Sequence, residues 1–564
     1  MISTLGEQAM RKGRLLKVMT AARVIRPYGP RTLYGIASTI KDWGIGFAGG
    51  IGALAVRAPD QVGLVDELGE LTWAQIDERA TRLAHGLQEM GVASGDSVAV
   101  LCRNHRYFLD VSTALSKLGA DILYLNTAFS APQLGEVCDR EKPAAIVYDE
   151  EFGALIDKAG VDLPRVVAWH DGDAGDAPLV EDLITKGSTD PLPVPGHTSK
   201  PVILTSGTTG TPKGAPRGES GIDGAVALLS KMPFRAGGTV HIAAPLFHTW
   251  GWAHLNMAML LGSRMILRRK FDPAECLRVV EDYRCDSMIV IPVMMQRIMK
   301  LPREQRSCDC SSLKVVAASG SALPGDLATE WMDEFGDNLY NTYGSTEVAW
   351  ATIAQPEDMR AAPGTAGRTP YNTVVRIYDE QGEPVPAGES GRIFVGNTML
   401  FGGYTGGEES KEMIDGLMAS GDVGRFDEEG RLFVEGRDDE MIVSGGENVF
   451  PKEVEDCLAR HENVQDVAAI GVEDDDFGQR LRAFVVKDGD VDEDTLKAWV
   501  KDNLARYKVP REIVFIDELP RNATGKILKK DLKDYDEDGN PGPDAASDSD
   551  SDSDSASASG DDTD

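Results

Sequence analysis

Residues 205–214 read Thr-Ser-Gly-Thr-Thr-Gly-Thr-Pro-Lys-Gly and are entered from the short apolar run Val202, Ile203, Leu204. A strand running into a flexible, hydroxyl-rich loop with one cation is built to wrap phosphate oxygens. Gly207, Gly210 and Gly214 let backbone N–H groups approach an anion closely. Thr205, Ser206, Thr208, Thr209 and Thr211 add donors, and Lys213 adds charge. The plain alternative is a surface turn, but such turns rarely combine so many hydroxyls with a lysine behind an apolar strand. The pattern of the ordinary NTPase P-loop, GxxxxGK[ST], fails because Pro212 precedes Lys213 and Gly214 follows it. The loop is expected to hold phosphate in another fold.

Around this loop, helical and short apolar segments alternate: a helix over Trp73 to Met90, a strand over Ser97 to Leu101, a helix over Tyr107 to Leu118, then strands over Ala144 to Val147, Thr239 to Ala244, Ser287 to Ile291 and Lys314 to Ala318. That alternation predicts an α/β fold with mostly parallel sheets flanked by helices. At 564 residues and 42% apolar composition the chain should split into several domains. Gly436-Arg437-Asp438-Asp439-Glu440 is expected to join the large body to a small α+β domain, with helices over Pro451 to Arg460 and Glu493 to Leu504 and strands over Val467 to Val472 and Leu481 to Val486. The expected organisation is a basic extension over 1–50, a large domain over 51–436, a small domain over 437–533, and a disordered acidic Ser/Asp tail over 534–564.

The formal net charge is −33, which argues against nucleic acid as a partner, since a polyanion needs clustered Lys and Arg. The residues from Asp534 onward hold −12 of it, so acidity also runs through the folded part and suits solubility at high salt. Activity that fell with rising KCl would contradict a halophilic setting. The first fifty residues reverse the sign, with Arg11, Lys12, Arg14, Lys17, Arg23, Arg26, Arg31 and Lys41 against Glu7 and Asp42. Leu15, Leu16, Val18, Met19, Ala22 and Ile25 fit one face of a helix there. Such a helix suits weak peripheral contact with an anionic membrane or docking on the chain's own acidic body, and the net charge favours the second. Seven scattered cysteines make a disulfide framework improbable and a reducing cytoplasm the default, while Cys308 and Cys310 lack the second pair a metal site needs. No apolar run reaches the length of a membrane span, and no basic-then-apolar leader opens the chain.

Three further segments fit one nucleotide site. Asn341-Thr342-Tyr343-Gly344-Ser345-Thr346-Glu347 supplies an amide and a ring for a base, a hydroxyl for a phosphate and a carboxylate for Mg²⁺. Ser420-Gly421-Asp422 supplies a carboxylate for two ribose hydroxyls, and Thr524-Gly525-Lys526 places one lysine on a tight turn. Taken singly, Tyr343 reads equally as a core aromatic, Asp422 as a turn residue and Lys526 as a solvated cation. Their common fit to ATP favours the functional reading.

At this point the chain resembles the adenylate-forming superfamily of AMP-forming acyl-CoA synthetases, firefly luciferases and peptide-synthetase adenylation domains. The likeness covers roughly residues 55 to 533, with five motifs in family order: the phosphate loop, Pro245-Leu246-Phe247-His248, Tyr343-Gly344-Ser345-Thr346-Glu347, Gly421-Asp422, and Gly436-Arg437 with Thr524-Gly525-Lys526. The resemblance implies a two-step reaction: a carboxylate attacks the α-phosphate of Mg·ATP to give acyl-AMP and pyrophosphate, then the thiol of CoA attacks the acyl carbon and AMP leaves. It implies that residues 205–214 hold the β- and γ-phosphates, and that Ser319, Gly320, Ser321, Ala322 and Asn341 line the adenine with Tyr343 stacked on it. Thr346 would touch the α-phosphate, Glu347 the Mg²⁺, and Asp422 and Arg437 the ribose. Lys526 would bridge the attacking carboxylate and the α-phosphate, and His248 would border the carboxylate. Asp439 would be the hinge of a small domain that swings between the steps, bringing in Ser444-Gly445-Gly446-Glu447-Asn448. Gly445 and Gly446 would leave room for pantetheine where any Cβ would block it.

Phe247, Trp250 and Trp252 beside His248 suggest an apolar wall, hence a fatty or other hydrophobic acid, although aromatics at such spacing are usually core. The chain departs from many members at Ala215-Pro216-Arg217 and at Leu417-Met418-Ala419-Ser420, which touches substrate detail more than adenylation. Three alternatives stand beside acyl-CoA synthesis. One loads an aryl or acyl acid onto a carrier-protein thiol; no carrier module follows Lys526, which favours free CoA. The second is luciferase-like oxidation, which nothing singles out. The third is a non-catalytic nucleotide-binding relative, against which Lys526, Glu347 and Asp422 argue.

Overall fold

The computed structural model describes residues 13–540 apart from 173–174, 206–212, 217–222, 346, 401–410, 441, 445–446, 475–477, 505–507, 523–524 and 537–538. They form two compact units. The first is the described part of Met1–Ser420 with Arg425–Phe433 and Ala523–Gly525; the second comprises Gly421–Gly424, Val434–Asn522 and the residues from Lys526 onward.

The first unit is built mainly on two mostly parallel sheets, and strands Val374–Tyr378, Gly391–Gly396 and Met413–Ile414 belong to a further sheet. The eight-stranded sheet runs in the order Ala349–Ala354, Leu339–Ser345, Val315–Ala318, Ser287–Val290, Thr239–Ile242, Arg264–Ile266, Val62–Asp66, Gly69–Thr72, and only its two edge strands are antiparallel to their neighbours. The six-stranded sheet runs Arg165–Val167, Ala145–Tyr148, Ser97–Leu101, Asp121–Tyr124, Pro201–Thr205, Lys213–Pro216, and only its last strand is antiparallel. Strands such as Val98 to Leu101 and Val315 to Ala318 are apolar at every position because both faces are covered, and all eight side chains are buried.

Helix Arg106–Leu118 packs against strands of both sheets and is buried almost all round. Its polar residues therefore need partners inside the protein. Lys117 Nζ reaches Asp77 Oδ1 at 2.7 Å, Asp110 accepts from Arg79 Nη2 at 2.8 Å, and Ser112 Oγ donates to the Phe108 carbonyl. Helix Trp73–Glu89, which packs on it, starts at a capping box: the Thr72 hydroxyl accepts from the Gln75 N–H while the Gln75 side chain accepts from the Thr72 N–H. The expected helix and strand limits agree with these elements to within a residue or two.

Two expectations about the ends are corrected. The first described helix covers residues 13–21, and Arg23 adopts a left-handed φ of 58° beyond it, so Ile25 lies outside the helix. Of the six residues assigned to its apolar face only Met19 and Ala22 are buried, while Leu16 and Ile25 are exposed. The segment rests on its own unit: Ala236 N donates to the Ala22 carbonyl at 2.8 Å and Arg26 Nη2 to the Ala236 carbonyl at 2.6 Å. At the other end, order continues past Asp534. Tyr535 packs on a core that includes Phe484 and Leu532, because one more aromatic covers apolar surface there. The S-D repeats lie outside the described residues. Among the described residues, no helix is long and apolar enough to cross a membrane, and all seven cysteines are free.

The second unit has a sheet in the order Glu447–Val449, Ile442–Ser444, Gly478–Lys487, Val464–Asp474, with Glu512–Phe515 parallel to Gly478–Lys487. Helices Pro451–Leu458 and Glu493–Asn503 bury Val454, Leu458, Leu496 and Val500 into its core. The protein is thus an α/β fold with mostly parallel sheets and a small α+β C-terminal unit.

Two fully buried histidines make the first unit acid-sensitive. Burial lowers His241 and His254 from 6.5 to about 4, against carbonyl contacts from Ile266 and Trp250 that raise them. Neutral imidazole is favoured in the folded state, so this stability is complete above pH 6.5 and is lost as pH falls towards 4, by up to about 3 kcal/mol per histidine. Urea midpoints should fall across that window, and His241→Asn, which keeps a donor for Ile266, should flatten the decline; an unchanged slope would remove His241 from the account.

Candidate active site

The carboxyl ends of the parallel strands of the eight-stranded sheet lead to His248, Gly320, Ser321, Asn341, Tyr343 and Glu347, as expected for open α/β sheets. Ser319, Gly320, Ser321 and Ala322 follow the end of Val315–Ala318, and Asn341 and Tyr343 lie on the neighbouring strand Leu339–Ser345, with Asn341 in register with Ala318. Ser319 Oγ donates to the Thr342 carbonyl at 2.8 Å, which fixes the Ser319 turn to that strand. Gly320 takes φ 99°, a left-handed conformation that a side chain would strain. Asn341 is buried, whereas Tyr343 is half-buried and its hydroxyl donates to Ser420 Oγ at 3.3 Å.

The strand bulges between Tyr343 and Gly344 and returns through Ala349, whose φ is 55°. A Cβ at Gly344 would fall 1.8 Å from the Ala349 carbonyl oxygen, so only glycine permits this turn. Ser345 holds the turn together: its hydroxyl donates to Glu347 Oε2 at 2.7 Å and accepts from the N–H groups of Glu347 and Val348. Glu347 is therefore a half-buried, oriented carboxylate. Oxygen donors of that kind suit a hard cation such as Mg²⁺. Thr346 lies outside the described residues.

His248 is half-buried and precedes helix Thr249–Leu261, on the chain that leaves strand Thr239–Ile242. The segment before it is held by Asn104, a residue the sequence reading missed. Its buried amide donates to the Ile242 and Ala244 carbonyls at 3.2 and 2.9 Å and accepts from the Leu246 N–H at 2.9 Å. Asn104 follows strand Ser97–Leu101, so one side chain ties the carboxyl ends of the two sheets. Asn397 was missed in the same way; it donates to the Val348 and Trp350 carbonyls at 2.7 and 3.2 Å, just past the Glu347 turn. Neither carries a local signal, because an asparagine that serves distant carbonyls reads like any loop asparagine.

Aromatic residues follow His248 and Glu347 closely in the chain. Trp250 meets His254 edge-on with centroids 4.1 Å apart, and Trp350 meets Trp250 at 6.1 Å. Phe247 and Trp250 are buried, Trp252 is partly buried, and Trp350 belongs to the cluster although the sequence reading had not singled it out.

The phosphate loop is described only at its flanks, where Pro201–Thr205 and Lys213–Pro216 form an antiparallel pair with Thr205 opposite Lys213. Ser206, Gly207, Thr208, Thr209, Gly210 and Thr211 lie outside the described residues, as do Gly445 and Gly446, which come between Ile442–Ser444 and Glu447–Val449 in the sequence.

In the second unit, Asp422 and Arg437 are brought together, with Nη1 3.4 Å from Oδ1. Gly421, at φ 85°, makes room, since its Cβ would stand 3.3 Å from Arg437 Nη2. The sequence had suggested that both hold ribose; the fold pairs them with each other as well. Lys526 sits on a short closed loop. Asn522 N donates to the Lys526 carbonyl, and Lys526 N donates to Asn522 Oδ1, both at 2.9 Å. Asp439 lies in the single-turn 3₁₀ helix Asp438–Glu440.

One cluster away from these segments, Cys102, His105 and Asp149, has the residue types of a metal site. Its 2.8 Å contact between His105 Nε2 and Asp149 Oδ1 is a hydrogen bond, and Asp149 Oδ2 accepts from the Arg103 N–H at 2.8 Å. Burial first, then the Asp149 charge, pushes the Cys102 thiol well above its ordinary range. This is a buried carboxylate satisfied by its neighbours.

Comparison with known proteins gives a consistent picture. Residues 53–405 match the AMP-binding enzyme family and residues 453–526 the AMP-binding enzyme C-terminal domain. A feruloyl-CoA synthase from an Amycolatopsis species is 35% identical over 471 residues, 82% of this chain and 93% of the relative. An indoleacetate–CoA ligase from Aromatoleum aromaticum is 31% identical, covering 86% of this chain and 95% of the relative. Among solved structures, o-succinylbenzoate CoA synthetase from Bacillus subtilis, in complex with its acyl-adenylate intermediate, superposes with a TM-score of 0.77 at 25% identity, covering 86% of this chain and 98% of that one.

Proposed function

The chain belongs to the AMP-binding enzyme family of adenylate-forming ligases and is an acid–thiol ligase that activates a carboxylic acid with ATP to acyl-AMP and passes it to CoA, and from that premise we propose that its acid carries an aryl group. The observation that supports this reading is the Trp250, His254 and Trp350 cluster, two of whose members follow His248 by two residues and Glu347 by three. Flat aromatic walls favour a planar ring by offset and edge-on packing. The named acids of the relatives, feruloyl, indoleacetate and succinylbenzoate, are of that class. A fatty acid is the second reading, because the wall is apolar as well as aromatic.

In this reading residues 205–213 clamp the β- and γ-phosphates, Gly320, Ser321 and Asn341 surround the adenine, and Tyr343 stacks on it. Asp422 and Arg437 hold the ribose. Thr346 steadies the α-phosphate, and His248 borders the carboxylate. Glu347 would hold Mg²⁺, which supplies charge neutralisation on the phosphates. Lys526 carries its positive charge to the α-phosphate as the carboxylate attacks, Asp439 is the hinge between steps, and Gly445 and Gly446 leave a path for pantetheine. The setting is cytoplasmic and salt-tolerant, in keeping with the acidic composition. A weak contact of residues 1–50 with anionic lipid is compatible with the exposed Leu33 and Tyr34 of helix Pro30–Trp43. It is secondary to the docking of residues 19–26 on the first unit.

The test is AMP release from ATP with benzoate, cinnamate, ferulate, indoleacetate, hexanoate and palmitate, each with and without CoA. The expected result is CoA-dependent release with kcat/KM at least about tenfold higher for the best aryl acid than for palmitate, the discrimination that a shaped apolar pocket supplies. The opposite order would return the substrate to the fatty acids, and adenylation without CoA thioester would point to a carrier-protein acceptor.

A further inference from the structure

The loop that carries Lys526 is fastened to the second unit on both sides. Ahead of it, Arg521 Nη2 meets Asp466 Oδ2 at 2.7 Å. After it, Lys529 Nζ lies 2.9 Å from Glu440 Oε2 and 2.8 Å from Glu455 Oε1. Glu455, on helix Pro451–Leu458, also accepts from the Ala469 N–H at 2.8 Å, so its carboxylate is fixed to strand Val464–Asp474. Burial opposes the charge on Lys529, but Glu455 and Glu440 outweigh it and hold its pKa above the ordinary lysine value. Leu528 N also donates to the Pro520 carbonyl at 2.8 Å and Arg521 bridges Ile527, which pairs the chain before the loop with the chain after it. The backbone of Lys526 is thus tied to Asn522 and, through the flanking residues, to these anchors.

Glu440 gives this anchor its interest, because it ends the 3₁₀ turn Asp438–Glu440 that contains Asp439. A plain structural pair would satisfy two half-buried glutamates and nothing more. Here the same ammonium bridges the hinge turn and the loop three residues from Lys526. We propose that Lys529 is a positioning residue that couples the Asp438–Glu440 turn to the Lys526 loop, so that Lys526 is presented for adenylation only while that turn keeps this conformation. The inference rests on the reading of Lys526 as the adenylation lysine and Asp439 as the hinge.

The test uses the full chain and the acid with the highest AMP release, in two assays: pyrophosphate exchange, and CoA thioester formation from the synthetic acyl-AMP. Lys529→Met and Glu440→Gln should each lower exchange about tenfold or more and leave thioester formation within about twofold, while Lys529→Arg restores exchange. Glu440→Gln keeps the side chain's shape and carries the test should Lys529→Met not fold. Added to Lys526→Ala, Lys529→Met should change exchange no further, since two residues acting through one step are not additive. Equal loss of both half-reactions, or no change in either, would overturn the coupling and leave Lys529 a structural pair. If Lys526→Ala itself left exchange intact, the lysine reading would fall and the coupling with it.

Discussion

Lys526→Ala is expected to lower pyrophosphate exchange a hundredfold or more while supplied acyl-AMP still reacts with CoA at close to the wild-type rate. Nucleotidyl transfer offers a protein little covalent chemistry. Its catalysis is positioning together with positive charge aimed where negative charge develops, and removing one such preorganised contact commonly lowers the rate by about 10²–10³. In the second step the charge to be stabilised has moved to the acyl carbonyl and the departing AMP, so the same lysine is not required there. The loop is closed by its own backbone and by Asn522, so truncating the side chain removes the charge without unravelling the turn. Gly446→Trp should give the mirror image, sparing exchange and stopping thioester formation, because an indole would fill the passage proposed for pantetheine. If Lys526→Ala reduced both half-reactions equally, the lysine would be serving the fold or both steps.

The second large effect is on stability. Asp66→Ala should destabilise the first unit by about 3–5 kcal/mol, read as a fall in urea midpoint. Asp66 ends strand Val62–Asp66 of the eight-stranded sheet, and Arg106 begins helix Arg106–Leu118; both are buried. The carboxylate accepts from Arg106 Nη2 at 2.5 Å, from Nε at 3.0 Å and from the Arg106 backbone N–H at 2.9 Å. With alanine, the buried guanidinium loses its paired carboxylate and keeps the hydrogen bond to the Gly69 carbonyl, with Asp110 and Glu181 acting on it only by charge and without a hydrogen bond. The paired replacement Asp66→Ala with Arg106→Leu should lose distinctly less, since it leaves no orphan charge. A single-mutant loss below about 1 kcal/mol, the range of an exposed pair, would show that water reaches the guanidinium. Activity should weaken along with stability, because Asn104, which holds the Pro245–His248 segment, lies two residues before Arg106.

Much of this was legible in one dimension. The alternation of short apolar strands with amphipathic helices predicted the α/β body. The limits of Ser97–Leu101 were read without error because a strand buried on both faces writes a continuous apolar run. The N-terminal helix was read too long, since hydrophobic spacing carries on through Ile25 whereas the backbone turns at Arg23, and spacing does not report φ. The tail was started too early, because the Asp-rich composition around Tyr535 masked one aromatic that finds apolar surface on the second unit.

By itself, the sequence determined which chemical groups stand within a few residues of one another: glycines, hydroxyls and a lysine over 205–214, a carboxylate at Glu347, a lysine after Gly525 and the charged run 436–440. Only the tertiary structure decided which distant groups serve one another. Asn104 reaching the Ile242 and Ala244 carbonyls, Trp350 meeting Trp250, Asp422 paired with Arg437 and Lys529 bridging Glu440 and Glu455 all join residues separated by 15 positions or more. Local pattern is set by propensity and spacing, which a sequence displays. Partnership between polar groups is set by where burial leaves a donor or acceptor unsatisfied, and that exists only once the sheets and helices have packed.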